Sequence, residues 1–294
     1  MSPNDWLNSG YFFHYKDYKI FYRHTRSEKE CVLLLHGFPT SSWDWDKVWN
    51  SLAERYWLLA PDFLGFGFSD KPLPYPYSIF DQADMLEDLI SEVGSTKFHI
   101  LAHDYGVSVA QELVARANEK KEQGKGYFKI KSVCFLNGGL FPGAYQPLLV
   151  QKILAGKFGS IAVKLMNSFS FERSMNKIFG ADTKASQQEL AGFWHLINQK
   201  NGKAAIPSII QYLREREKHA QRWTSALQTT AIPLRLINGT EDPISGMRMA
   251  DKYKELIPNP DIVLLDGIGH YPQVEAPSKV AKHYLDFSNK LGLL

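Results

Sequence analysis

Short runs of apolar residues recur along the chain, and each run is followed by small or polar residues. These runs occupy residues 31–35, 57–60, 98–102, 133–136, 234–237 and 262–265. Continuous apolar runs of this length are typical of strands that are buried on both faces, as in a parallel sheet. The first 26 residues instead alternate aromatic and polar positions, which predicts a hairpin with its turn near Lys16 and Asp17.

Helical patterns lie between the predicted strands. Residues 78–81, Ser-Ile-Phe-Asp, have the pattern of a capping box and predict a helix that runs towards Gly94. A second predicted helix follows Gly106 and carries Val109 and Leu113 on one face. Strands that alternate with helices predict right-handed βαβ units and an open, mostly parallel sheet of the α/β class.

The alternation stops in the middle of the chain. Residues 148–154, 161–171, 187–197 and 206–219 all have helical patterns, and the strand pattern resumes at Ile232. A helical block inserted between two strands of a sheet predicts a cap over the carboxyl ends of the strands, where open α/β sheets bind ligands. We therefore divide the chain into a first core segment, 1–142, a helical cap, 143–228, and a second core segment, 229–294.

Composition narrows the function without identifying it. The 294 residues include 34 basic and 31 acidic residues, and no dense block of Lys or Arg occurs. This even balance argues against a nucleic-acid partner. The chain has no P-loop, no complete dinucleotide fingerprint and no His-Glu-x-x-His metal motif. We therefore expect neither a cofactor nor a metal.

The termini and cysteines bear on the compartment. Residues 1–6 contain neither a basic nor an apolar signal-peptide region, and no apolar run reaches the ~18 residues that span a bilayer. Cys31 and Cys134 both stand in apolar, strand-like runs, which favours buried free thiols. A reducing, cytoplasmic location fits this pattern.

One acidic residue stands at a position that is typical of a catalytic nucleophile. Residues 98–107 form a predicted strand, then Asp104, then Gly106 and a predicted helix. This is the form of the nucleophile elbow G-x-S-x-G, with Asp104 in the serine position and Ala102 at the first glycine. A helix N-terminus would favour the ionised carboxylate. The alternative, that Asp104 only caps the helix, stays open on this motif alone.

Two further residues complete a catalytic triad. Asp242 follows the predicted strand 234–237, and His270 stands in the loop after the last predicted strand. The chain order of nucleophile, acid and histidine is the order of Asp104, Asp242 and His270. The main-chain N–H groups of Phe38 and Tyr105 would form the oxyanion hole.

These motifs resemble the epoxide hydrolase and haloalkane dehalogenase group of α/β-hydrolases. The resemblance rests on residues 36–39 (His-Gly-Phe-Pro), 62–69, the elbow 103–106, Asp242 and His270. It covers nearly the whole chain and is weakest in the cap. It implies an α/β-hydrolase fold with an inserted helical cap. In this group the acid can instead follow the sixth strand, but residues 137–140 contain no carboxylate, so Asp242 is the predicted acid.

The resemblance also implies a reaction. An aspartate nucleophile displaces at a saturated carbon and leaves an alkyl ester, which water activated by His270 then hydrolyses. Dehalogenases of this group usually carry Trp after the nucleophile, whereas this chain has Tyr105. Epoxide hydrolases use a His-Gly-x-Pro loop and tyrosines of the cap as proton donors. Tyr212 is the candidate donor, and Tyr145 is the candidate for the second tyrosine, since residues 147–210 contain none.

We therefore predict an epoxide hydrolase that acts on a small hydrophobic substrate, as a monomer or a homodimer. His36, Pro39, Tyr145 and Trp194 are the predicted substrate-binding residues. Three alternatives remain open on the sequence: a haloalkane dehalogenase, an esterase-like hydrolase, and a binding protein that has kept the fold without activity.

Overall fold

A computed structural model describes residues 1–124 and 128–292. The described strands agree with the apolar runs of the sequence to within a few residues. They are β1 (Tyr11–Tyr15), β2 (Tyr18–His24), β3 (Cys31–Leu35), β4 (Trp57–Pro61), β5 (Lys97–Ala102), β6 (Lys129–Phe135), β7 (Leu234–Gly239) and β8 (Asp261–Leu265).

The eight described strands form one sheet in the order β1-β2-β4-β3-β5-β6-β7-β8. β1 and β2 form an antiparallel hairpin, β2 pairs antiparallel with β4, and the other pairs are parallel. The predicted hairpin and the mostly parallel sheet are both confirmed. β3 and β5 lie side by side near the middle of the sheet, so the loops after them, residues 36–39 and 103–106, lie next to each other.

Helices connect the strands. The described helices are α1 (Pro3–Asn8), α2 (Asp46–Ala53), α3 (Ile79–Glu92), α4 (Tyr105–Glu122), α5 (Leu149–Ala155), α6 (Gly159–Leu165), α7 (Ser168–Asn176), α8 (Gln187–Asn198), α9 (Ile206–Ile209), α10 (Tyr212–Lys218), α11 (Ala220–Thr229), α12 (Met247–Leu256), α13 (Pro272–Glu275) and α14 (Pro277–Lys290), with 3₁₀ turns at Ser42–Trp45 and Gln199–Ala205. α3 begins where the capping box predicts, because the Ser78 hydroxyl accepts the Asp81 N–H.

The helices between β6 and β7 follow the predicted cap, with two breaks. The single helix predicted over 161–171 is wrong: α6 ends at Leu165, and Asn167 caps a new helix by accepting the N–H of Ser170. Asn is a favourable N-cap, and its local hydrogen bonds compete with helix continuation. The helix predicted over 206–219 is likewise divided, with α9 ending before Ile210 and α10 starting at Tyr212.

Burial varies across the sheet more than the apolar runs indicate. All residues of β3 and β4 are buried, whereas β8 lies at the edge of the sheet and leaves Leu264 exposed. Cys31 on β3 and Cys134 on β6 are buried and free, with β5 between their strands. None of the helices in the described part of the chain is long and apolar enough to cross a membrane.

The last helix before β7 is anchored to the core. On α11, the Trp223 indole N–H and the Arg222 guanidinium both donate to the carboxylate of Glu112, a buried residue of α4. The point at which cap becomes core near residue 228 therefore stays a prediction.

Candidate active site

Asp104 stands on a sharp turn between β5 and α4. Its backbone has φ 44° and ψ −101°, a conformation that residues other than glycine rarely adopt and that is common at nucleophile elbows. The turn is tight on the helix side, since a Cβ atom at Gly106 would lie 2.5 Å from the Leu35 carbonyl oxygen. This crowding explains why the position after Tyr105 is a glycine.

The Asp104 side chain does not act as a helix cap. It makes no capping hydrogen bond to α4; its Oδ1 instead accepts the N–H of Phe38 at 2.9 Å. Phe38 is therefore placed where the oxyanion hole requires a donor. Tyr105 opens α4, and its N–H is one of the donors that the first turn of a helix leaves without a helical partner.

The three predicted triad residues lie together. His270 Nδ1 is 2.8 Å from Asp242 Oδ2, and His270 Nε2 is 3.5 Å from Asp104 Oδ2. All three side chains are buried. Asp242 follows β7 and His270 follows β8, so the parallel strand ends bring together residues that are far apart in the chain.

The charges of the triad support one another. Burial alone would lower the pKa of His270, but the Asp242 and Asp104 carboxylates outweigh it and raise the pKa to about 10. Burial alone would raise the pKa of Asp104, but the hydrogen bond and charge of His270, with the Arg216 guanidinium, hold it well below the usual value. The resting site therefore holds an ionised Asp104 beside a protonated His270.

His103, the residue before the nucleophile, holds the backbone of His270. Its Nε2–H donates to the His270 carbonyl oxygen at 2.7 Å. Burial, followed by the nearby charge of His270, lowers the pKa of His103 to about 4, so its ring is neutral. The elbow and the histidine loop are thus joined directly.

Asp242 receives support from a residue that sequence reasoning did not assign. The Asn137 side-chain amide donates to Asp242 Oδ2 at 2.9 Å, and its oxygen accepts the Gly239 N–H at 2.7 Å. The Ser245 hydroxyl also donates to Asp242 Oδ2, at 2.6 Å. Asn137 follows β6. In the group that this chain resembles, the catalytic acid can follow that strand, so the position of Asn137 in the sequence indicates a place beside the triad.

A buried arginine was also missed. Arg216 on α10 donates from Nη2 to the main-chain oxygen of Asp104 at 2.9 Å and from Nε to the Ser108 hydroxyl at 2.7 Å. Its Nη2 also lies 3.9 Å from Asp104 Oδ2. In the sequence Arg216 stands among alternating charges at 214–218, a pattern that indicates a solvated helix face, and no local signal distinguishes it.

Both candidate tyrosines lie beside this arginine. The Arg216 guanidinium carbon is 4.6 Å from the ring centroid of Tyr212 and 5.6 Å from that of Tyr145. The Tyr212 ring also packs against Phe38 and Tyr105. Its hydroxyl is buried beside the Arg216 guanidinium. Burial, and next the Asp104 charge, raise the Tyr212 pKa above its usual value, so the phenol stays protonated.

Two of the predicted substrate-binding residues, His36 and Trp194, contact other parts of the protein. His36 uses Nε2 to accept the Phe63 N–H and Nδ1 to donate to the Gly37 carbonyl, and burial lowers its pKa to about 3. Its neutral ring therefore joins two backbone segments. Trp194 packs against Phe171 within the cap, at a centroid distance of 5.5 Å.

The neighbouring residue of the same helix, Phe193, contacts the residue that follows His270. The Phe193 ring is 6.1 Å from the ring of Tyr271, the residue after His270. Helical geometry turns consecutive side chains about 100° apart, so Phe193 and Trp194 point in different directions from α8.

A small cavity lies beside the oxyanion loop. Its volume is about 10 Å³, room for roughly one water molecule. Most of its lining is apolar and comes from the core loops and the cap: Phe38, Pro39, Phe66, Ile197, Ile206 and Ile209. The predicted position of Pro39 at the site is thus consistent with the structure. No cluster of three His, Cys, Asp or Glu side chains within residues 1–124 and 128–292 is arranged to hold a metal ion.

Comparison with solved structures agrees with this fold. Haloalkane dehalogenase DbeA from Bradyrhizobium elkani superposes with a TM-score of 0.83 at 22% identity, covering 97% of this chain and 98% of the dehalogenase. Epoxide hydrolase CorEH superposes with a TM-score of 0.78 at 21% identity, covering 96% of this chain and 99% of that structure. Likeness at these identities establishes the fold, and the predicted resemblance to this group is confirmed.

Comparison with sequences leads to the family. The mesoderm-specific transcript protein of Mus musculus is 42% identical to this chain over an alignment of 301 positions. The alignment covers 98% of this chain and 89% of the mouse protein. Residues 32–283, which include every residue of the triad, match the alpha/beta hydrolase family. The chain is a member of the alpha/beta hydrolase family.

Proposed function

We propose that this hydrolase opens epoxides to diols through a covalent ester on Asp104. The observation that carries the proposal is the arrangement of the Asp104 carboxylate: Oδ1 accepts the Phe38 N–H, and Oδ2 faces His270. Oδ2 is the attacking oxygen, and Oδ1 becomes the ester carbonyl, already held by a donor of the oxyanion hole.

The first step forms the ester. Asp104 Oδ2 attacks a carbon of the epoxide, the ring C–O bond breaks, and the freed oxygen takes the hydroxyl proton of Tyr212. The negative charge thus moves from Asp104 to the Tyr212 phenolate. Arg216 lies beside both groups, so it remains next to the charge throughout the step.

The second step hydrolyses the ester. Alkylation removes one of the two carboxylate charges that raise the pKa of His270, so its pKa falls. The ring gives its proton to the Tyr212 phenolate and can then act as a base. His270, held by Asp242, takes a proton from water, and the hydroxide attacks the Asp104 ester carbon. The diol leaves with the proton from His270, the remaining proton of the water passes from the Asp104 carboxyl to His270 and restores the resting ion pair, and the cycle consumes one water.

The epoxide is favoured over a halide by the donors at the site. The position after the nucleophile carries Tyr105, whose ring packs against Phe63, Phe66 and Tyr212 and has no indole N–H. A phenol beside Arg216 suits an alkoxide, which needs a proton. An aspartate nucleophile argues against an esterase, and the assembled triad argues against a binding protein without activity.

Isotope labelling tests the covalent step. In heavy-oxygen water with enzyme in excess over an epoxide, the diol of the first turnover should contain no heavy oxygen, and the Asp104 peptide should gain one. His270→Gln should accumulate the ester, whereas Asp104→Asn should neither form it nor turn over. Heavy oxygen in the diol of the first turnover would contradict the covalent ester. A panel of epoxides, haloalkanes and p-nitrophenyl esters, assayed side by side, identifies the leaving group.

The proposal also covers the substrate class, the oligomeric state and the compartment of the enzyme. The apolar lining beside the oxyanion loop favours a small hydrophobic substrate, and the protein is proposed to act as a monomer or a homodimer. The buried, free Cys31 and Cys134 favour a reducing compartment such as the cytoplasm. Titration of the denatured, unreduced protein should detect both thiols.

A further inference from the structure

Exposed hydrophobic side chains are concentrated on one part of the cap. Of the thirteen large hydrophobic side chains that are exposed in the described part of the chain, seven lie on α5, α6, α7 and the residues between them. We name these seven the cap patch: Leu149, Val150, Ile153, Phe158, Ile161, Leu165 and Phe169. Four of them are 70–76% exposed, so they project from the surface rather than line a groove. Such a concentration marks an interaction surface.

The first two helices of the patch, α5 and α6, pack against each other and against the same third helix. α5 and α6 contact each other, and both contact α9. Each turns a buried residue inward, Leu154 from α5 and Val163 from α6. Each also carries an exposed apolar pair at i and i+4, Leu149 with Ile153 and Ile161 with Leu165. The exposed pairs therefore lie on two adjoining helices, away from the buried residues.

The charges around the patch have one sign. Residues 143–171 contain no Asp or Glu, and their basic residues are Lys152, Lys157 and Lys164, which we name the patch lysines. All three are exposed, and none forms an ion pair with a described residue. Lys152 directly precedes Ile153, and Lys164 directly precedes Leu165, so on each helix a cation flanks the apolar pair.

We propose that the cap patch docks the protein onto an anionic lipid bilayer, with the apolar side chains in the interface and the patch lysines against the headgroups. Helices with an apolar face and flanking lysines bind interfaces in this way, and anionic lipids add to the attraction. A bilayer accepts separately projecting side chains without needing a complementary shape. A second copy of the chain fits less well, because a two-fold interface would bring the patch lysines of both copies together.

Vesicle flotation tests the proposal with the full-length protein. The protein should float with vesicles of equal parts phosphatidylcholine and phosphatidylserine, bind phosphatidylcholine vesicles much more weakly, and lose binding as salt is raised. Replacing all three patch lysines by Gln should weaken binding roughly 100-fold, because each lysine contributes a factor of about five. Phe158→Ser with Leu165→Ser should weaken binding by at least about tenfold.

Matched controls come from exposed residues elsewhere. Lys254, Lys279 and Lys282 are also exposed and form no ion pair with a described residue, so replacing them by Gln should change binding little. Leu73→Ser with Met247→Ser removes two exposed apolar side chains outside the patch and serves as the apolar control. Thermal unfolding of each variant shows whether it is folded.

A fluorescent label reports contact directly. Leu165→Cys, labelled with an environment-sensitive dye, should shift to an apolar signal on anionic vesicles, whereas the same dye on Leu73→Cys should not. Cys31 and Cys134 are buried and should not react in the folded protein. Three results would overturn the proposal: no vesicle binding, equal loss of binding in the patch and control variants, or a dimer in sedimentation that the patch variants dissociate.

Discussion

Arg216 Nη2 donates to the main-chain oxygen of Asp104 at 2.9 Å and lies 3.9 Å from Oδ2 of the same residue. The guanidinium is buried, as is the carboxylate, so the charge of each is balanced mainly by its close neighbours. A residue of the cap thus contacts the nucleophile itself. Cap position and nucleophile charge are therefore coupled through one side chain.

Replacement of Arg216 should affect the alkylation step most. In Arg216→Met the Asp104 carboxylate loses a cation that lowers its pKa, so the acidic limb of the alkylation rate should move to higher pH. The rate on the plateau should fall by roughly 100-fold, because the phenolate also loses its counter-ion. Single-turnover rates of ester formation, measured against pH, give both quantities.

The conservative variant serves as the control for Arg216. Arg216→Lys keeps the charge but not the two-pronged hydrogen bonding, so it should keep the acidic limb near its original pH and recover part of the rate. An acidic limb that stays in place in Arg216→Met would show that the guanidinium only supports the fold of the loop.

Asn137 offers a second test, because it stands where a carboxylate could reach His270. Its amide nitrogen is 2.9 Å from Asp242 Oδ2, which in turn is 2.8 Å from His270 Nδ1. Asp242→Asn should reduce ester hydrolysis by at least about 100-fold, since the charge that orients and supports His270 is lost. Adding Asn137→Asp to that variant should restore a measurable part of the rate. Stopped-flow decay of the ester follows both changes.

The matched control is Asn137→Asp alone. It places a second carboxylate beside Asp242, and two like charges raise the pKa of one of them, so this variant should be slower than the wild type. A double variant no faster than Asp242→Asn alone would exclude Asn137 as an alternative position for the acid.

The framework and the triad could be predicted from sequence because both have local signatures. Apolar runs locate the parallel strands, and the carboxyl ends of such strands meet at one edge of the sheet. Asp104, Asp242 and His270 each follow one of these runs, so their proximity follows from strand order. The His-Gly-Phe-Pro loop follows β3, the neighbour of β5, and lies beside the elbow for the same reason.

The contacts that the sequence does not reveal join distant segments of the chain. Arg216 belongs to a charged helix whose exposed and buried faces look alike in sequence. Only the packing of α10 on the elbow brings Arg216, rather than a neighbouring charged residue, to Asp104. Histidine is a residue type that often binds ligands, yet both ring nitrogens of His36 bind main-chain groups. Trp194 and Phe193 are adjacent, and only the orientation of α8 decides which approaches the triad.

The pKa of His270 leads to a prediction for stability. Its pKa rises from 6.5 in the unfolded chain to about 10 in the folded protein, so the folded state binds its proton more tightly. Each unit of such a rise contributes about 1.4 kcal/mol. This contribution is complete below pH 6.5 and is lost as pH rises through about 10. Urea unfolding should therefore show a fall in the free energy of unfolding over this range.

His270→Gln isolates this contribution. Most other groups titrate alike in the two proteins, so the decline in the free energy of unfolding between pH 6.5 and about 10 should be smaller in the variant. Parallel curves for the two proteins would mean that His270 titrates alike in the folded and unfolded states.

Tyr212 should donate the proton that opens the epoxide. Its hydroxyl is buried beside the Arg216 guanidinium, and its ring lies against Phe38, which binds the nucleophile. A protonated phenol at this place can donate to a substrate oxygen. Tyr212→Phe should therefore lower the rate of alkylation by roughly 100-fold, while hydrolysis of a preformed ester, which depends on His270, should change much less.

The size of the loss in alkylation rate in Tyr212→Phe depends on whether Tyr145 can also donate a proton. The Tyr145 ring lies beside the Arg216 guanidinium, which also contacts Tyr212. Burial raises the pKa of Tyr145 as well, so Tyr145 also carries a phenolic proton. If the two tyrosines share the donation, Tyr145→Phe alone should cost less than Tyr212→Phe, and the double variant should lose more than either. The rate of ester formation in single turnover, measured for all three variants, separates sharing from sole donation. An unchanged alkylation rate in the double variant, or halide release from haloalkanes without any epoxide turnover, would remove the tyrosines from the mechanism.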